Sequence, residues 1–355
     1  MRTNTSSLKS TNKRRFFSFS ILVIGVIILA ILGLILGSVN IPLSEIWKII
    51  IGSSNSNTSW HTIVMDIRVP RTLTALLAGA GIGLSGLQMQ TLFRNPLADP
   101  FVLGISSGAS LGVALIVLTV GSAGAIFGSG LGLFENLSLA IAAIIGSAIV
   151  LFIVLIIAER VRNAVTILIV GLMVGYLVSA IVMLLVAWSE PQQLSRFVIW
   201  GFGSFRSVTW DELGILAPVL VVGFLIAGSI LKPLNALLLG EDYAKSLGIN
   251  IRTLRIATMA GSSLLAGIVT AFCGPIAFIG VATPHIARAI FKTSDHRILV
   301  PAVILSGAII AMVAEIVAQL PGSNSVLPLN AVTSLLGAPV VVIVLLRSRL
   351  GAFTG

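Results

Sequence analysis

The chain is short of the residues on which soluble chemistry relies. It has one cysteine, three histidines, two tyrosines and 12 acidic residues among 355. Cys273 alone can neither close an internal disulfide nor build a metal site, so it reads as a small apolar filler. Charged residues are only 10% of the chain, too few for the surface of a soluble domain. No G-x-x-x-x-G-K-[ST] stretch occurs, so the chain carries no phosphate-cradling loop of its own. No nucleophile–base pair stands out, and no span carries a buried series of acids and bases. If the protein moves something uphill, the energy enters from a partner.

Apolar residues are abundant, at 57% of the chain, and mean hydropathy is +1.10. The apolar runs follow one another too closely to leave a separate globular domain, so the chain reads as an all-α integral membrane protein. The net charge of +10 does not point to nucleic acid, because the positive residues sit in short loops and tails where they set membrane orientation. Lys9, Lys13, Arg14 and Arg15 precede the apolar run Phe16 to Leu36, which is long enough to span and reads as a retained first helix.

Ten spans are expected, near 17–37, 62–92, 98–120, 138–158, 164–187, 211–231, 255–273, 280–292, 298–319 and 329–347. They form one membrane domain over 17–348, with a loop at 233–254 and tails at 1–16 and 349–355. The eighth span is short and follows Cys273-Gly274-Pro275, which predicts a broken or partly re-entrant helix. With both termini in the cytoplasm, 17 of the 22 lysines and arginines fall on the cytoplasmic side. Lys48, Arg68, Arg71, Arg196 and Arg206 fall outside. The small residues Ala78 to Gly86 predict close helix packing.

Leu237 to Asn250 reads as a short charged helix on the cytoplasmic side. Leu239, Tyr243 and Leu247 make an apolar stripe, Glu241 and Asp242 occupy the first turn, and Glu241 precedes Lys245 by four residues. Gly248 supplies the stop. Such a helix is too short to span and suggests a docking surface for a soluble partner. Arg68 and Arg71, at the outer mouth, have two readings: interfacial anchors that snorkel, or a basic pair receiving carboxylates of an outer partner. Arg94 to Pro100 is a proline-bracketed corner or a partner contact. Pro284-His285-Ile286-Ala287-Arg288 reads as structural or interfacial, Glu315 as a structural hydrogen-bonding acid near the outer end, and Asp295-His296-Arg297 as a solvated loop with too few ligands for a metal.

Together these pieces resemble the FecCD permease family, the membrane subunits of ABC importers for ferric siderophores, haem and cobalamin. The resemblance rests on RVPRTLTALLAGAGIGLSGLQMQTLFRNPLADPFVLGISSGA (68–109), WGFGSF (200–205) and LGEDYAKSLGIN (239–250). GPIAFIG with PHIAR (274–288), DHRILVP (295–301) and LLGAPVVVIVLLR (335–347) complete it. It implies a multi-pass inner-membrane permease domain with ten helices per subunit, assembled as a homodimer with two cytoplasmic ATPases and an extracytoplasmic substrate-binding protein. The family's ATPase-docking loop matches Gly240, Glu241, Ala244, Leu247 and Gly248, and its outer basic pair matches Arg68 and Arg71. The fifth helix would line the pathway, near 166–185. No cofactor is implied, and ATP hydrolysis is expected on a separate chain. Three positions depart from the pattern: Gln319 stands for an outer arginine, Val326-Leu327-Pro328-Leu329-Asn330 for a Glu-Leu-Pro-Val-Gly turn, and Val281-Ala282-Thr283 for an aliphatic run.

Other classes make other demands. A channel or secondary transporter calls for repeated broken-helix halves with intramembrane charges, and a membrane enzyme for convergent polar groups at one face. The sequence shows neither.

Overall fold

A bilayer requires about 20 apolar residues of each crossing helix, and the apolar runs of this chain fold accordingly. The computed structural model describes residues 5–37, 39–52, 58–120, 132–161, 164–319 and 326–352. Residues 1–4 and 353–355 of the two tails, and Arg162, lie outside the described residues. Among the described residues the elements are helices and turns, without strands. In chain order they are α1 (Thr5–Ile35), α2 (Leu43–Ile51), α3 (Thr58–Leu92), α4 (Ile105–Ala114), α5 (Gly132–Arg160), α6 (Ala164–Ala187) and α7 (Pro191–Gly201). There follow α8 (Trp210–Ser229), α9 (Leu231–Leu238), α10 (Glu241–Ser246), α11 (Ile251–Cys273), α12 (Ile279–Phe291), α13 (His296–Ala318) and α14 (Leu329–Ala352).

Seven of these, α1, α3, α5, α6, α8, α11 and α13, are long and apolar enough to cross a membrane. The remaining expected spans fold as shorter helices. The run at 98–120 opens with a tight turn, Pro100–Leu103, and Gly104 at φ 78° sets the direction from which α4 begins. The run at 280–292 becomes the 13-residue α12, and the apolar part of α14 covers Leu329–Ile343. Two short helices between crossings, α2 and α7, were not foreseen.

The centre is α3, packed against α13, α12, α11 and α8. Its small residues explain how so many helices reach it. A Cβ on Gly79 would lie 2.2 Å from the carbonyl oxygen of Gly307, and one on Gly86 only 1.9 Å from that of Gly280. Backbone therefore touches backbone, α3 against α13 and against α12, as close packing in lipid requires. The same contact joins α4 to α5, where a Cβ on Gly112 would lie 1.9 Å from Ala142 O.

The break before α12 is present. Gly274 has φ 72° and Phe278 φ 68°, so the helix cannot run through. Ser204 N donates to Cys273 O (2.7 Å), and one side chain satisfies much of the rest. Asn330 Nδ2 donates to Pro275 O (2.7 Å) and Gly201 O (3.0 Å), and its Oδ1 accepts from Ala277 N (2.9 Å). Irregular backbone inside a membrane protein survives only where such partners exist. Asn330 thus carries the turn.

Candidate functional site

Two ends of the bundle hold the residues of interest. α3 connects them, its 24 residues from Val69 to Leu92 rising about 36 Å. Arg68 opens this stretch, and Arg94 just beyond it reaches Leu237 beside α10.

At the α10 end the single expected helix is three pieces. Leu237 is buried near the end of α9, Gly240 turns the chain at φ 126°, and α10 covers only Glu241 to Ser246. Gly248, at φ 79°, ends the unit, and Asn250 Oδ1 accepts from Thr253 N to cap α11. Both glycines hold backbone angles that side-chain-bearing residues rarely adopt. The helix therefore breaks at Gly240, inside the expected run, and stops at Gly248 as expected.

The stripe itself survives the turn. Leu239, Tyr243 and Leu247 are all exposed, at 69%, 47% and 58%. Ala244, next to Tyr243 in the chain, is fully buried. The expected Glu241–Lys245 pair does not form. Lys245 pairs with Asp242 at 3.0 Å, and Glu241 lies 3.4 Å from Arg255 at the base of α11. Arg255 also donates to Val161 O, beyond the end of α5. Glu241 therefore fastens α10 to the bundle, and the apolar triad faces away from it.

At the opposite end both arginines turn inward, which corrects the expectation that they face outward. Arg68 is 2% exposed and Arg71 5%. Arg68 donates to Leu34 O (2.6 Å), Ile35 O (2.9 Å) and Val39 O, gathering the orphan carbonyls where α1 ends. Arg71 donates to Gln319 Oε1 (2.8 Å) and pairs with Glu315 (3.3 Å), while Gln319 Nε2 donates to Glu315 Oε1 (3.1 Å). Glu315 is thus the hydrogen-bonded acid the sequence suggested, and Gln319 completes its triad with Arg71.

The corner at Arg94–Pro100 is held from several sides. Asp99 Oδ1 accepts from Phe101 N, and Pro96 O lies 2.8 Å from His285 Nε2. Asp295-His296-Arg297 departs from its expected role as a solvated loop. Asp295 caps α13 through Arg297 N (2.9 Å), and His296 is 1% exposed, within reach of Asn235 and Thr91. The backbone N–H of Arg297 is the main cause holding the Asp295 carboxyl below its ordinary range. No sequence signal marks this histidine, since Asn235 and Thr91 lie 61 and 205 positions away. Among the described residues no group of three His, Cys, Asp or Glu side chains could hold a metal.

The profile of the FecCD transport family matches residues 24–347. The vitamin B12 import system permease protein BtuC of Klebsiella pneumoniae subsp. pneumoniae is 36% identical over 286 residues, 81% of this chain and 83% of that protein. The hemin transport system permease protein HmuU of Yersinia pestis is 34% identical over 334 residues, 92% of this chain and 96% of that one. A solved structure described as an inward-facing conformation of a metal-chelate type ABC transporter superposes with a TM-score of 0.79 at 27% identity, covering 93% and 98% of the two chains. The likeness is one of sequence and of fold along nearly the whole length, and the chain is a multi-pass membrane permease belonging to the FecCD transport family.

Proposed function

We propose that the chain is the permease subunit of an ATP-driven importer that takes its cargo from an extracytoplasmic binding protein. Two copies, each of ten helices with both termini in the cytoplasm, would pair with two cytoplasmic ATPases and alternate access along their shared interface. The observation that carries this reading is the uncovered triad Leu239, Tyr243 and Leu247, beside a chain with no phosphate-binding loop of its own. Gly240, Glu241, Ala244 and Gly248 hold the triad in place, and an ATPase is the partner whose absence from the chain the transport reading requires. Arg68 and Arg71 serve the binding protein's landing surface from beneath it, by holding the ends of α1 and α13 in register.

For cargo we propose a ferric siderophore. Haem and cobalamin are the alternatives, favoured by relatives named for hemin transport and vitamin B12 import.

The docking surface is tested by co-purification with the ATPase encoded alongside. Loss of a central apolar anchor typically costs 2 kcal/mol or more, so Glu241→Lys with Leu247→Asp should lower ATPase recovery roughly thirtyfold or further. Unchanged recovery overturns the docking assignment. Which of a ferric siderophore, haem and cobalamin the cognate binding protein retains decides the cargo.

A further inference from the structure

The docking helix α10 is fastened to more than its neighbours in sequence. Through α9 it is pinned to α3 and α13, the two helices whose backbones touch at Gly79 and Gly307. The pin is the side chain of Asn235. Its Oδ1 accepts from His296 N at 2.9 Å and lies 2.7 Å from His296 Nδ1, while its Nδ2 donates to Asp295 Oδ1 at 2.7 Å. An oxygen that only accepts fixes the proton on Nδ1, so in the neutral ring Nε2 is left as an acceptor. Thr91 Oγ1, 2.9 Å away near the end of α3, shares its one proton between this nitrogen and Leu87 O, also at 2.9 Å. Three residues beyond Thr91, Arg94 Nη2 donates to Leu237 O at 2.9 Å, two residues beyond Asn235.

We propose that Asn235, His296 and Thr91 form the joint through which movement at the docking surface reaches the core of the permease. The proposal rests on the importer reading and assigns these side chains as positioning residues, not as contacts of cargo or ATPase. Three features of the joint suit it to that task. It is short, with every link between 2.7 and 2.9 Å. It is largely screened from water, His296 being buried, so its hydrogen bonds are not readily exchanged for solvent. It ends on α3 and α13, which cannot slide apart from each other without opening a backbone–backbone contact. The second tether of α10, Glu241 to Arg255, leads to α11 instead. A push on α10 would thus divide between two helices, and removing the Asn235 joint should leave ATPase binding intact while the share delivered to α3 and α13 is lost.

The experiment uses the full complex with its ATPase and binding protein in liposomes, and reads cargo accumulated per ATP hydrolysed. A ferric hydroxamate siderophore, haem and cobalamin are the three probes. Asn235→Leu keeps the branched shape and removes the bonds to Asp295 and to the near side of His296, and Thr91→Val removes only the far link. Both should retain ATPase recovery and hydrolysis, while cargo per ATP falls roughly tenfold in Asn235→Leu, in the range typical of coupling between sites, and less in Thr91→Val. Lys232→Ala, exposed on the same helix, should change nothing. Unaltered cargo per ATP in Thr91→Val and in a folded Asn235→Leu overturns the joint, as does a loss that merely follows ATPase recovery. A parent complex that binds no ATPase, or accumulates none of the three probes, overturns the importer reading itself.

Discussion

Helices α3 and α6 are both long and apolar, yet they are built for opposite circumstances. The span containing α3 is 83% buried within the chain, whereas that of α6 is 22% buried. α3 presents glycine, alanine, serine and threonine to its neighbours; α6 presents Met173, Tyr176, Leu177, Met183 and Leu184 outward. Small residues permit backbone contact, and close contact makes helices move as one body. Large flexible side chains on an open face do the reverse, filling whatever lies against them. The contrast divides the molecule into a fused centre and an adaptable flank, and the stretch 166–185, for which the family resemblance implies a place along the pathway, lies on the flank.

That division can be broken in order of expected effect. Arg71→Ala strands the Glu315 carboxylate in the centre without its cation and should cost about 4 kcal/mol, read as the loss of a cooperative melt in detergent. Replacing both partners, Arg71→Leu with Glu315→Leu, should recover most of that loss. Gly86→Val drives a side chain into the backbone of Gly280 and should destabilise by about 3 kcal/mol in the same measurement. Met183→Ala, on the open face of α6, should fall within about 0.5 kcal/mol. A flank substitution as damaging as Gly86→Val would show that α6 is held as firmly as the centre.

Much of this was legible in the sequence, because the membrane imposes length and composition on each crossing. The seven long spans, the small-residue packing of α3 and the break after Cys273 all follow from patterns local to a few dozen residues. What escaped is set by distance along the chain. The helices α2 and α7, at nine and 11 residues, are too short to register as spans. Arg68 and Arg71 were placed at the surface because exposure is the ordinary state of arginine. Their partners, the carbonyls at 34–39 and the Glu315–Gln319 pair, are 29 to 248 positions away. The same holds for Glu241, whose partner lies 14 positions on at Arg255 and not four at Lys245. Gly240 falls inside the single helix expected over Leu237 to Asn250, and its backbone angle makes it a corner, while Gly248 ends the helix as its position predicts.

The carboxamide of Asn330 has a consequence for how the break before α12 can change shape. It serves Gly201, Pro275 and Ala277 at once, and so joins the end of α7, the turn and the start of α14 in a single knot. Loosening one strand of the knot leaves polar backbone bare where lipid and protein offer little in exchange. The three bonds therefore support one another, and a single carboxamide holds the end of one helix, the turn and the start of another as one unit.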